Sequence, residues 1–187
     1  MRDNISNNDY EYWNYYLNMF RKLFIINSVI LCLMVLIGYI CSCTFGENDP
    51  FPLNDNSFKV EDPIGDFFII LNNNLFLVVQ LLLGSITFGV LSIILFGWNG
   101  FLLGIGLPTI VHLNGLVYIS AYIYIVFEFL SLTFAVTVGE KIGIDIFQYL
   151  SETRKPSGLY RMFLIVLLSI GLMIIAGITE TYYLYKQ

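Results

Sequence analysis

The sequence predicts an all-α polytopic membrane protein: a bundle of five transmembrane helices, one of them short or broken, with interfacial amphipathic helices beside it. Three observations carry that expectation. Of 187 residues, 57% are hydrophobic and only 12% charged, with a mean hydropathy of +0.75, whereas soluble domains carry roughly twice that charged fraction. Apolar runs recur along the chain, each near the ~20 residues a helical span needs. Glycine, serine and threonine recur inside them at helical spacing, and small side chains are what let helices approach closely in lipid.

The first 22 residues are polar and aromatic. In NNDYEYWNYYLNMFRKLF, residues Trp13, Tyr16, Leu17, Phe20 and Phe24 share one helical face. Segment 1–22 is therefore expected to be a cytoplasmic amphipathic helix lying in the interface and leading into a five-span membrane domain over 23–187. A partner-docking helix would carry the same pattern, and lipid contact is preferred. No cleavable signal peptide is expected, because the first apolar run continues for a full span. Arg21 and Lys22 mark the cytoplasmic side, and the first span runs from about Leu23 to Cys43. Cys32 reads as a small core residue, and Cys41 and Cys43 as interfacial thiols.

The loop over 44–66 sets Glu47, Asp49, Asp55, Glu61, Asp62 and Asp66 against Lys59 and contains Pro50, Pro52 and Pro63, so it is expected to be irregular and outside. Asp62-Pro63 has the form of an N-cap followed by a first-turn proline. A short interfacial helix from there would deliver the chain to Asn72, Asn73 and Asn74.

The second span is expected over Leu75–Phe96. In it Gln80, Gly84 and Thr87 make one polar-small face, and Ser85, Gly89 and Ser92 a neighbouring one. Asn99-Gly100 is read as the cytoplasmic turn, after which Gly97, Gly100 and Gly104 line up along the next helix, followed by Gly106, Pro108 and His112. From Asn99 to His112 the rise is about 21 Å, short of a roughly 30 Å hydrocarbon core. Charge decides whether it crosses. A crossing places Lys141, Arg154, Lys155 and Arg161 in the cytoplasm, as the positive-inside tendency requires, so a crossing segment, thinned or broken near Pro108, is expected. The fourth span covers about Leu116–Gly139 and the fifth about Leu159–Tyr183, with Tyr182, Tyr183 and Tyr185 at an interface belt. Five crossings put the chain in the cell membrane with its N-terminus cytoplasmic and its C-terminus outside.

Few residues here are equipped for chemistry. Glu128 lies near the middle of the fourth span, and an ionisable group at that depth is costly and by default a functional candidate. Its helical neighbours Ala121, Tyr124, Ser131 and Ala135 form a small and polar stripe. It reads either as a group for proton or cation coupling, or for a partner's cationic group, or as a carboxyl fixing helix packing against Asn99, Gln80 or a tyrosine hydroxyl. Without a second central acid or a central cation, the packing role is preferred. Glu180, Asn73 and Asn74 complete the polar candidates, and Gly84, Gly89, Gly100 and Gly104 are the candidate packing glycines. His112, the one histidine, cannot make a zinc site of ordinary spacing. No serine–histidine–acid set shares one depth, and no phosphate loop follows a strand, so neither enzymatic activity nor a cofactor is expected. The absence of a basic patch with interleaved aromatics argues against nucleic acid.

Asn73-Asn74, then Gly84 and Gly89, then Asn99-Gly100 and Gly104 resemble the central signature of the stage II sporulation protein M family. Glu128 leading to Gly139 resembles its later motif, and Ile175-Ala176-Gly177-Ile178-Thr179-Glu180 the end of its last span; the likeness covers roughly 67–183. This chain has Tyr124-Ile125 where the family often has His-Gly, and Phe129-Leu130 where it often has Leu-Pro, so no role of that histidine carries over. The resemblance implies a five-helix protein without activity of its own that scaffolds or completes a membrane complex. Lipid, other membrane proteins or further copies of the chain would be its partners. In the family the settings include recruitment of envelope hydrolases during sporulation, association with ABC transporter ATPases, and bacteriocin production or immunity. The rival expectation is a transporter or permease-like subunit using Glu128 for ion or substrate coupling.

Overall fold

The computed structural model describes residues 7–45, 62–111, 115–151 and 159–186. Most of the acidic loop, His112, Arg154 and Lys155 lie outside them. All the regular structure described is helical: α1 (Asn7–Phe45), α2 (Pro63–Leu83), a 3-10 turn (Gly84–Thr87), α3 (Val90–Val111), α4 (Gly115–Leu150) and α5 (Leu159–Lys186). Five segments are long and apolar enough to cross a membrane: Asn14–Thr44, Pro63–Thr87, Val90–Pro108, Tyr118–Leu150 and Tyr160–Tyr182.

Helix α1 runs unbroken for 39 residues, because neither glycine nor proline occurs between Asn7 and Ile37. At 1.5 Å per residue that is roughly 58 Å, nearly twice the hydrocarbon core. No break separates residues 7–22 from the first span. Tyr16 is buried beside Val138 of α4 and Met162 of α5, with Phe20 packed alongside, while Leu17 stays exposed. Part of the aromatic face is thus covered by protein.

At the start of α2 the Asp62 carboxylate accepts a hydrogen bond from the Ile64 amide at 3.2 Å, with Pro63 at the first helical position. Helix α2 then continues to Leu83 without a separate interfacial piece, so Asn72–Asn74 fall in its middle rather than at its entrance.

The largest departure from the sequence expectation follows. The chain reverses at 84–89, not at Asn99-Gly100. After the 3-10 turn, Phe88 (φ 53°) and Gly89 (φ 88°) take left-handed conformations. Their amides donate to Ser85 O (3.0 Å) and Gly84 O (3.1 Å). Thr87 Oγ1 donates to Gly84 O (2.7 Å) and accepts from Leu91 N (3.0 Å), capping α3. Ser92 Oγ donates back across the hairpin to Leu81 O at 2.7 Å. The small and hydroxyl residues read as helix faces therefore bond the backbone of a turn. A left-handed phenylalanine is strained by about 1–2 kcal/mol, and its residue type gives no local sign of a reversal. Asn99-Gly100 lies inside α3, where Asn99 Nδ2 donates to Leu95 O of its own helix at 2.8 Å. The third span is consequently a helix of 22 residues with Pro108 near its end, and the expected short or broken segment is its second half.

Helix α4 likewise passes the predicted end at Gly139 and continues to Leu150, placing Glu140 and Lys141 on a buried helical face rather than in a loop. Gly139 and Gly143 do not end the helix; they let the hairpin approach. A Cβ on Gly139 would collide with Leu81 O, and one on Gly143 would lie 2.9 Å from Phe88 Cα.

Contacts fix relative directions. Gly100 faces Leu31 and Met34, and Gly104 faces Val35 and Tyr39, so α1 and α3 run parallel. Residues 81–88 of the hairpin climb beside 139–143, making α2 parallel to α4. Ser131 and Ser169 exchange hydroxyl-to-carbonyl hydrogen bonds at 2.8 and 2.9 Å, where α4 and α5 pass antiparallel. The N-terminal part of α1, the hairpin tip, the C-terminal part of α4 and the start of α5 therefore share one end of the bundle. Helix α4 is its axis: half of its apolar stretch is buried, against 17–28% for the other four. Leu31, Val78, Leu81, Phe96, Leu132, Val136 and Met173 form the main core around it.

Candidate functional site

The residues singled out by sequence do not converge. Glu128 on α4 and Glu180 on α5 are both half-buried, and their carboxyls lie within electrostatic range of one another. Asn99 is engaged by its own helix. Gln80 and Asn74 on α2 are half-buried and Asn73 is exposed. Gly100 and Gly104 face α1, whereas Gly84 and Gly89 belong to the turn.

A denser polar constellation lies at the hairpin end, on residues that sequence reasoning passed over. Asn27 of α1 is fully buried, Thr137 of α4 is fully buried, and Glu140, one turn further along α4, is 6% exposed. Asn27 Nδ2 donates to Glu140 Oε2 at 2.7 Å and to Thr137 Oγ1 at 3.2 Å. Thr137 in turn donates to Thr133 O at 2.7 Å. Asn27 Oδ1 is buried without a donor. The hairpin packs directly on the group: a Cβ on Gly89 would lie 3.0 Å from Glu140 Cγ, so only glycine brings the backbone this close in a left-handed conformation.

Beside this node, Lys141 is 3% exposed and forms an ion pair with Asp145, one turn along α4. Its ammonium lies 5.2 Å from the centre of the Tyr16 ring, a cation–π distance. Tyr16 also lies within electrostatic range of Asp145 and of Arg161 at the start of α5. Lys141 and Asp145 thus answer one another's charge. Glu140 is answered by an amide.

One sequence signal pointed to the node. Asn27 interrupts the apolar run Phe24-Ile25-Ile26-Asn27-Ser28-Val29-Ile30, and a polar side chain inside a span normally faces protein. Its partner was hidden, because Gly139-Glu140-Lys141 looks like the start of a charged loop.

Chemically, the arrangement joins α1, α4 and the α2–α3 hairpin through one buried carboxylate. Among the described residues, no three His, Cys, Asp or Glu side chains come together as a metal-binding group. The family model described as stage II sporulation protein M matches residues 28–183 of this chain. No curated protein and no solved structure matches it.

Proposed function

Because the chain belongs to the stage II sporulation protein M family, we propose that it is a non-catalytic integral membrane subunit that scaffolds or completes a larger envelope complex. The observation that carries this reading is how its polar groups are spent. The Asn27–Glu140 bond joins α1 to α4, the Ser131–Ser169 pair joins α4 to α5, and the Ser92–Leu81 bond closes the hairpin. These are ties between helices, and they hold a thin bundle in one shape. Around it, α1 exposes Ile26, Val29, Leu33, Leu36, Ile37 and Ile40, a continuous face available to lipid or to another membrane protein. Arg21, Lys22, Lys141 and Arg161 all belong to the hairpin end, which favours that end, and the N-terminus with it, on the cytoplasmic side. An ABC ATPase, envelope hydrolases or a bacteriocin system would each suit such a subunit, and the neighbouring genes would discriminate among them. Cross-linking in membranes followed by purification in mild detergent is expected to recover a stoichiometric partner or a self-oligomer. Recovery of the lone chain alone would refute the scaffold reading.

A second reading, a transporter-like subunit, is favoured by one observation: Glu128 and Glu180 lie within electrostatic range across the α4–α5 contact. It predicts that Glu128→Gln abolishes transport or bacteriocin resistance while expression and assembly persist. Full activity in that variant would leave Glu128 a packing role only.

A further inference from the structure

We propose that the outward face of α2 is a self-association surface, occupied by α2 of a second copy of this chain. Helix α2 runs from Pro63 to Leu83, so Asn73 lies ten residues from either end. That is roughly 15 Å along the axis each way, the middle of a roughly 30 Å hydrocarbon core. At this depth Asn72 and Asn73 are both exposed, and among the described residues neither amide has a hydrogen-bond partner. Lipid tails offer none, and an unbonded polar group in hydrocarbon is costly. The exposed α1 residues Ile26, Val29, Leu33 and Leu36 are apolar, and lipid alone satisfies them. The α2 face needs a partner that can hydrogen-bond.

The pattern around these amides selects the occupant. Ile69, Asn73, Phe76, Gln80 and Leu83 follow one another at alternating intervals of four and three residues, the heptad spacing of a seam between two helices. Val78 and Leu81, which α2 buries against its own bundle, lie on the opposite side. Ile69, Phe76 and Leu83 are each more than half exposed, and Gln80 is half-buried, so this chain supplies one side of the seam and leaves the other open. A second copy related by a two-fold axis along the membrane normal presents the same seam, parallel and at the same depth. Asn73 then meets Asn73 and Phe76 meets Phe76. An amide is both donor and acceptor, so it bonds its own kind, which two like charges could not do. A single polar residue at such a position also fixes the register of the pair. The inference deepens the scaffold reading by naming one partner, a second copy.

The test is energy transfer between two fluorescently labelled populations of the full chain in phosphatidylcholine vesicles, as the protein-to-lipid ratio is lowered. The wild type is expected to pair. Asn73→Leu is expected to raise the protein mole fraction at half association about tenfold, as loss of interhelical amide hydrogen bonds would, and Leu36→Ala on the α1 face to leave it unchanged. With Cys32, Cys41 and Cys43 replaced by alanine, oxidation is expected to join Phe76→Cys chains into dimers and to leave Leu36→Cys chains single. A wild type that stays monomeric at every ratio overturns the proposal, and a different protein copurifying with it would leave the scaffold reading standing. Pairing that Asn73→Leu does not weaken overturns it too, as does cross-linking of Leu36→Cys in place of Phe76→Cys. Should Asn73→Leu not fold, the cross-linking pattern alone decides.

Discussion

Gly104→Val is expected to cost about 3 kcal/mol or more of stability and to separate α1 from α3. A Cβ at Gly104 would collide with Val35 O and come 2.9 Å from Tyr39 N, both backbone atoms of α1. Backbone cannot turn aside as a side chain can, so the two helices must move apart over the whole contact. The facing Gly38 has the same constraint, since its Cβ would collide with Phe101 O and lie 3.1 Å from Gly104 Cα. Two glycines opposed across a parallel crossing are the small-residue packing that stands in for the hydrophobic effect inside lipid. Gly106→Ala and Gly171→Ala serve as controls, because nothing lies within 4 Å of an added Cβ at either site. Removing a helical glycine there is expected to stabilise by up to about 1 kcal/mol. Thermal unfolding in one detergent measures all three, and a Gly104→Val Tm equal to that of the controls would dispose of the close-crossing account.

The second large effect is expected at Asn27. Asn27→Leu fills a fully buried position with apolar volume but withdraws the amide from Glu140, leaving a buried carboxylate with no donor. Leaving a buried charged acceptor without its donor costs about 3 kcal/mol. Removing both groups in Asn27→Leu/Glu140→Leu is expected to be milder than the sum of the single variants by at least about 1 kcal/mol, because no charge is then stranded. Unfolding free energies of the four proteins close the cycle. Additivity within about 0.5 kcal/mol would mean that the two side chains do not act on each other.

What the residues revealed in advance, and what they concealed, divides along a physical line. Apolar length is a local property, so five spans were legible from composition and hydropathy, and Asp62-Pro63 was legible as a cap because capping needs only neighbours in sequence. The reversal at Phe88-Gly89 was not legible. Asn99-Gly100 has the turn chemistry of water-exposed chains, yet within an apolar helix the Asn99 amide is satisfied by Leu95 O one turn earlier. At the actual turn, Gly84, Ser85 and Thr87 are the residue types that also line helix contacts, and only the tertiary structure says which use they serve. The polar node was missed for a related reason. Asn27 and Glu140 stand 113 positions apart, and Glu140 is next to a lysine in a stretch that imitates a loop. Glu128 attracted attention because its isolation in an apolar run is visible in one dimension, whereas burial at a three-way helix junction is not.

The two-residue reversal also constrains how the chain enters the bilayer. With no loop between α2 and α3, neither helix can complete its crossing while the other waits outside, so the pair inserts as one unit. Helix α3 then packs along α1 rather than lying only against its hairpin mate. During synthesis α1 therefore stays in lipid without this partner until the hairpin has arrived, and its glycine face at Gly38 is held open for a helix that emerges two spans later.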